Sequence, residues 1–153
     1  MRGSNTLVVP GAASISCCAL RNTSQAIADS VATPISFDST YVNTSGMWVI
    51  GAPTRITIPS TGFYAVEANI AFDAVTLGVR RLQIWKNGAA TGFCAAQLAN
   101  TAAVETAVNG YFGMPLVAGD YLELLVYQNS TLTVNAVTLE FATNTLTVTR
   151  VKG

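Results

Sequence analysis

Residues 58–73 leave the chain little conformational choice. They read Ile58-Pro59-Ser60-Thr61-Gly62 and then Phe63-Tyr64-Ala65-Val66-Glu67-Ala68-Asn69-Ile70-Ala71-Phe72-Asp73. Pro59 cannot donate a ladder hydrogen bond, so it closes the extended run before it. Gly62 permits a reversal. Strict alternation follows. Tyr64, Val66, Ala68, Ile70 and Phe72 fall on one face, and Ala65, Glu67, Asn69, Ala71 and Asp73 on the other. The first face suits a core. The second is polar but nearly uncharged and contains small residues, which fits a close neighbour better than open water.

The rest of the chain repeats this theme in shorter pieces. Residues 15–20, 33–38, 54–58 and 80–86 read as strands, with Ile56, Ile58, Leu82 and Ile84 inward and Arg81, Gln83 and Trp85 outward. Asn87-Gly88 marks a tight hairpin, because both residues tolerate positive φ. Residues 92–98 return. Residues 101–114 form a further strand, with Gly110 and Gly113 as bulges or points of close approach. Ala118-Gly119-Asp120 turns the chain into the apolar run 121–128. Two threonine-rich strands follow, 132–140 and 141–151. Residues 24–29 are either a short helical turn or a loop. Met47-Trp48-Val49-Ile50 is either a strand or a loop packed across one end. No segment has helical periodicity of useful length, so short strands between turn signals predict a sandwich or barrel.

One domain is expected of 153 residues. Residues 1–14 read as an extended arm, broken at Pro10-Gly11, and residues 15–153 as the folded body. Charged residues are 10% of the chain, against about a quarter in ordinary domains. That shortage predicts that nominal surface is covered by other subunits. The alternative is a neutral surface rich in Thr, Asn and Ser. Eight basic and eight acidic residues cancel, and no basic run exists, which argues against nucleic acid. No apolar run is long enough to span a membrane. The N-terminus lacks the order of a signal peptide. The three cysteines, with Cys17 and Cys18 adjacent, make no disulfide framework. They are expected to be reduced, and buried or interfacial, in a protein made in a reducing cytoplasm.

Catalytic chemistry has little to work with. There is no histidine, which removes the usual general base and the commonest metal ligand. No nucleophile elbow, phosphate-binding glycine loop or Cys-x-x-Cys pair is present. The carboxylates are scattered, with no dense calcium-ligand run. The expectation is no enzyme, no cofactor and no metal. Arg80, Arg81 and Lys86 make the one local cluster of positive charge, read as a solvated edge or an acidic-partner contact. Trp48 is expected in a core or interface.

Four stretches together resemble the C1q/tumour-necrosis-factor-like family. They are Pro59-Ser60-Thr61-Gly62-Phe63-Tyr64, Ile35-Ser36-Phe37-Asp38 with Tyr41-Val42-Asn43, Leu82-Gln83-Ile84-Trp85-Lys86-Asn87-Gly88, and Leu116-Val117-Ala118-Gly119-Asp120-Tyr121-Leu122-Glu123-Leu124. The resemblance implies an all-β fold, a two-sheet antiparallel jelly-roll sandwich, here with an N-terminal arm. It also implies three protomers around a threefold axis, joined through one sheet of each sandwich. Carried onto this chain, the threefold contacts are Phe63, Ala65, Glu67 and Asn69 on one strand and Tyr121, Glu123, Leu125 and Tyr127 on another.

Similar trimeric modules occur in phage virions, and the chain shows neither the stalk nor the signal of secreted members. The expected function is therefore a homotrimeric capsid decoration (cement) protein in a virion assembled in the host cytoplasm. Leu7, Val8, Val9 and Pro10 of the arm would contact the major capsid protein. The alternative is a fibre-tip module whose loops 43–46 and 87–91 bind a host surface glycan. A secreted C1q-like ligand is a third reading.

Overall fold

A computed structural model describes residues 14–102, 104–137 and 144–153. The expected arm, apart from Ser14, lies outside these residues, as do Leu7, Val8, Val9 and Pro10. Twelve strands are described: β1 (Ser16–Arg21), β2 (Gln25–Ile27), β3 (Thr33–Pro34), β4 (Ser39–Asn43), β5 (Arg55–Thr57), β6 (Gly62–Phe72), β7 (Val79–Lys86), β8 (Ala89–Leu98), β9 (Thr106–Leu116), β10 (Tyr121–Gln128), β11 (Val134–Ala136) and β12 (Asn144–Lys152). All their pairings are antiparallel. They form a seven-stranded and a five-stranded sheet.

β6 is the spine of the larger sheet. One edge pairs with β9 over its whole length, from Gly62↔Leu116 to Phe72↔Thr106. The other pairs first with β12 and then, at Phe72, with β11. β12 continues to β1 and β4, and β11 to β2. In the smaller sheet β10 pairs with β7, and β7 with β8. β3 and β5 share the other edge of β10.

The period-two pattern of β6 holds as far as Ile70, and Ala71, expected outward, is buried as well. Tyr64, Val66, Ala68, Ile70 and Phe72 are completely buried. They belong to one core with Leu82 and Ile84 of β7 and Leu122, Leu124 and Val126 of β10. Each large aliphatic or aromatic side chain removed from water there contributes about 1.5–3 kcal/mol. Tyr64 satisfies its one polar atom by donating to the Ser60 carbonyl at 2.6 Å, which ties the Pro59–Gly62 turn to the strand it launches.

Several local expectations change. Residues 24–29 are neither helical turn nor loop throughout: they contain β2, paired with β11. The strand expected at 33–38 shrinks to β3. Beyond it the Gln25 side chain takes over the backbone bonding, accepting from Ser36 N–H and donating to the Pro34 carbonyl, both at 2.9 Å. Residues 47–50 form a loop. The Asn43 side chain clamps both backbone groups of Trp48, and the indole N–H reaches the Pro53 carbonyl at 3.1 Å. Trp48 thereby joins the core, as expected. β9 begins at Thr106 rather than 101. Its register is unbroken, so Gly110 and Gly113 are close approaches and not bulges: a Cβ on Gly110 would sit 2.6 Å from the Phe112 ring.

The basic cluster also dissolves. Arg80 is completely buried. Its guanidinium donates to the carbonyls of Val75 at 2.8 Å and Leu77 at 2.9 Å, so it closes the β6–β7 loop from inside. Gly78 in that loop has φ +82°, and a Cβ there would meet the Asn129 carbonyl oxygen at 2.5 Å. Gly78→Ala is expected to destabilise the fold by about 1–3 kcal/mol, read as a lower urea midpoint with an unchanged slope.

Candidate interaction surface

The pleat that buries one side of each strand presents the other side outward. On the larger sheet this outer face is built from short cross-strand rows. Tyr111, Glu67 and Thr147 stand side by side on β9, β6 and β12, as do Gly113, Ala65 and Thr149, and Asn109, Asn69 and Thr145. Cys18, on β1, extends the Thr147 row, and Val42 of β4 lies beside it. The face is nearly charge-free and exposes aromatic surface: Tyr111 is 73% and Phe63 45% accessible. Phe63 also lines a groove of about 470 Å³ at the end of the sandwich, with Pro115, Leu116, Val117, Lys86 and Lys152.

The outer face of the smaller sheet is different in kind. Arg55 lies over the Tyr121 ring at 4.2 Å, and Arg81 over Tyr127 at 5.4 Å. Glu123 accepts from Thr54 Oγ1 at 2.8 Å and pairs with Arg55 at 3.4 Å. Leu125 is only 6% accessible. These side chains are occupied within the protomer. Arginine stacked on an aromatic face contributes about 0.5–1 kcal/mol where exposed.

The eight expected threefold contacts therefore divide. Phe63, Ala65, Glu67 and Asn69 share the outer face of the larger sheet. Tyr121, Glu123, Leu125 and Tyr127 lie on the opposite side of the sandwich, in the other sheet. The expectation that one sheet carries both strands is corrected. The run 121–128 is apolar on both faces because arginines cover its outer one.

A further surface escaped the sequence reading. β8 and β9 are the free edges of the two sheets on one side of the sandwich. β8 has ten residues with no charge and no proline, the devices that usually blunt an edge, and all ten are exposed or half-buried. Phe93 and Phe112 meet between the two strands, ring centroids 5.4 Å apart, with Phe93 still 36% accessible. Gly110-Tyr111-Phe112-Gly113 held the signal: alternation puts Tyr111 outward exactly where Phe112 turns in.

The loops considered for glycan binding have already committed their asparagines. Asn43 holds Trp48. Asn87 donates to Asp120 at 2.7 Å and accepts from Tyr121 N–H at 2.9 Å. Asn87 and Gly88 do take positive φ, 51° and 77°, as the hairpin required. Cys17 is buried, and burial, followed by the neighbouring Cys18, pushes its thiol up to about 12. Cys18 is half-buried, and Cys94 is exposed on the β8 edge. Among the described residues no three His, Cys, Asp or Glu gather in a metal-binding group, and no helix is long and apolar enough to cross a membrane.

No protein-family model and no curated protein sequence matches the chain. Solved structures do. Murine APRIL at pH 5.0 superposes with a TM-score of 0.66 at 12% identity, over 90% of this chain and 99% of that one. Murine APRIL at pH 8.0 gives 0.64 at 14% identity, over 90% and 98%. The globular domain of zebrafish complement 1qA protein gives 0.59 at 14% identity, over 88% and 92%. The chain is an all-β jelly roll with the C1q/TNF-like fold.

Asp120 fastens the groove end of the smaller sheet. The Val117 backbone N–H, at 2.8 Å, lowers its carboxyl to about 2, against burial and with help from Lys86 and Asn87. A lowered value contributes stability above the unfolded value, about 3.9, that is lost as pH falls through about 2. Asp120→Asn should remove part of the acid sensitivity between about pH 5 and pH 2, seen as a flatter dependence of the urea midpoint on pH.

Proposed function

We propose that this chain is a non-catalytic structural module that works as a closed homotrimer. The observation that carries this reading is the outer face of the larger sheet: poor in charge, with Tyr111 and Phe63 accessible and no arginine cover of the kind that shields β10. An uncovered aromatic face of this sort suits a protein partner. The uncovered β8–β9 edge is a second, differently shaped surface on the same protomer. Two unlike surfaces that fit each other make a heterologous contact, and such contacts give a ring when the rotation between copies closes. The resemblance to a family of threefold assemblies supports three copies. A stable contact of this kind buries about 800 Å² per partner.

The finer reading is a capsid decoration protein, resident in the virion and assembled in the host cytoplasm, with the major capsid protein as partner. The low charge of the chain and the apolar Leu7-Val8-Val9-Pro10 stretch of the arm support it. A trimer that binds only the expanded shell stabilises that state by mass action, by about 2.7 kcal/mol per site at a hundredfold excess over Kd. Fibre-tip glycan binding has less support, because Asn43 and Asn87 are engaged inside the fold.

Light scattering is expected to give three times the protomer mass for the full chain at micromolar concentration. Tyr111→Lys should reduce that to one, while Tyr127→Ala, on the opposite sheet, should leave it at three. A trimeric Tyr111→Lys protein would rule out the outer face as the contact. For decoration, the full chain should sediment with expanded phage heads, and a chain of residues 12–153 should remain trimeric but stay in the supernatant. Equal binding by both chains would remove the arm from the mechanism.

A further inference from the structure

The groove at the end of the sandwich leaves apolar surface uncovered. Phe63 is 45% and Val117 57% accessible, and Pro115 is exposed as well. Two lysines also line it, and Lys86 is already held by Asp120 at 2.9 Å. The groove measures about 470 Å³. An apolar cavity of about 150 Å³ takes one benzene ring, so there is room here for about three aliphatic side chains.

The start of β1 is tied to the same end. β1 runs antiparallel to β12 with Ser16 opposite Thr149. The chain traced back from Ser16 therefore heads toward Lys152 and Gly153, which stand in the groove wall. Ile15 packs against the core, and its carbonyl accepts from Arg150 N–H at 2.9 Å. The guanidinium of the same Arg150 donates at 2.8 Å to the carbonyl of Thr61, which lines the groove. One residue thus joins the root of the N-terminal stretch to the groove.

From β1 the groove extends across β12 and β6 to β9, three strand spacings or about 14 Å away. The stretch before Ser14 reads Thr6-Leu7-Val8-Val9-Pro10-Gly11-Ala12-Ala13. At about 3.3 Å per residue, Val9 has a reach of about 17 Å from Ser14 and Leu7 about 23 Å. Pro10-Gly11 suits the two central positions of a type II turn, which redirects a chain from the strand direction to a path across the strand ends. No residue from Gly3 to Ser14 is charged, and the large aliphatic residues there are Leu7, Val8 and Val9. Length, turn and polarity all match the groove.

We infer that Leu7, Val8 and Val9 fill the groove of their own chain, as a strap laid across the ends of β12, β6 and β9. This goes beyond the homotrimer reading and does not depend on it. Held there, the three side chains are covered until a partner displaces them, so the strap decides when the apolar stretch is available.

The test follows alkylation of a reporter thiol, Val117→Cys, by iodoacetamide, with peptide mass mapping to separate it from Cys18 and Cys94. In the full chain the reporter should react at least about tenfold more slowly than in the same chain carrying Val8→Lys, which sets a second cation beside Lys152. Val8→Ile should keep it slow. Pro115→Cys gives a second reporter in the same groove. Equal rates with and without Val8→Lys overturn the inference and leave the homotrimer reading standing. Co-expression with an excess of Val8→Lys chains that keep Val117 then shows whose arm fills the groove. The reporter chain should stay slow; a reporter that reacts at the Val8→Lys rate gives the groove to a neighbouring copy's arm and overturns the same-chain assignment.

Discussion

Both edges of β6 are filled, and nearly every other feature follows from that. With β9 along one edge and β12 and β11 along the other, the strand cannot slip by one residue without turning Tyr64, Val66, Ala68, Ile70 and Phe72 out to solvent. The register thus fixes which residues face the core and which face outward. It also fixes the rows that run across the outer face, from Tyr111 through Glu67 to Thr147. The core and the candidate interface are two sides of one pairing decision.

The two outer faces are finished by different means. On the smaller sheet, Arg55 and Arg81 lie flat on Tyr121 and Tyr127, and Glu123 anchors Arg55. The long arginine side chains cover apolar surface and keep their charge toward water. On the larger sheet most outward positions are filled by threonine, alanine, glycine and asparagine, with Glu67, Cys18 and Val42, around Tyr111 and Phe63. Such side chains are too short to cover Tyr111 or Phe63. Three of the chain's few charges, Arg55, Arg81 and Glu123, thus finish the outer face of the smaller sheet.

Alternation made the central strands readable. β6, β7 and β10 lie where their patterns placed them, and Asn87-Gly88 marked its hairpin, because those signals are local. The short strands were harder. β2 has three residues, and only its pairing with β11, about a hundred residues later, makes it a strand. Arg80 looked like surface charge; the Val75 and Leu77 carbonyls that accept its buried guanidinium belong to a loop whose path no pattern announces. The outward set of β6 was legible, but its grouping with the outward set of β10 was not. Sequence tells which residues of a strand share a face; it does not tell which sheet the strand enters. The β8–β9 edge was missed for the same reason, since an unpaired edge is a property of topology.

The position of β1 carries a consequence for how the protein is made. β1 is inserted between β4 and β12, and Ser16 Oγ meets Thr149 Oγ1 at 2.8 Å across 133 residues of sequence. While the ribosome is still extending the chain, β1 and β6 each lack the neighbour that will separate them. Closing so large a loop is slow, because its entropy cost comes before the contacts that reward it. For that interval the nascent protein shows apolar strands with open edges, the state most prone to pair with the wrong chain. The central edges of the larger sheet are therefore closed only when β12 arrives.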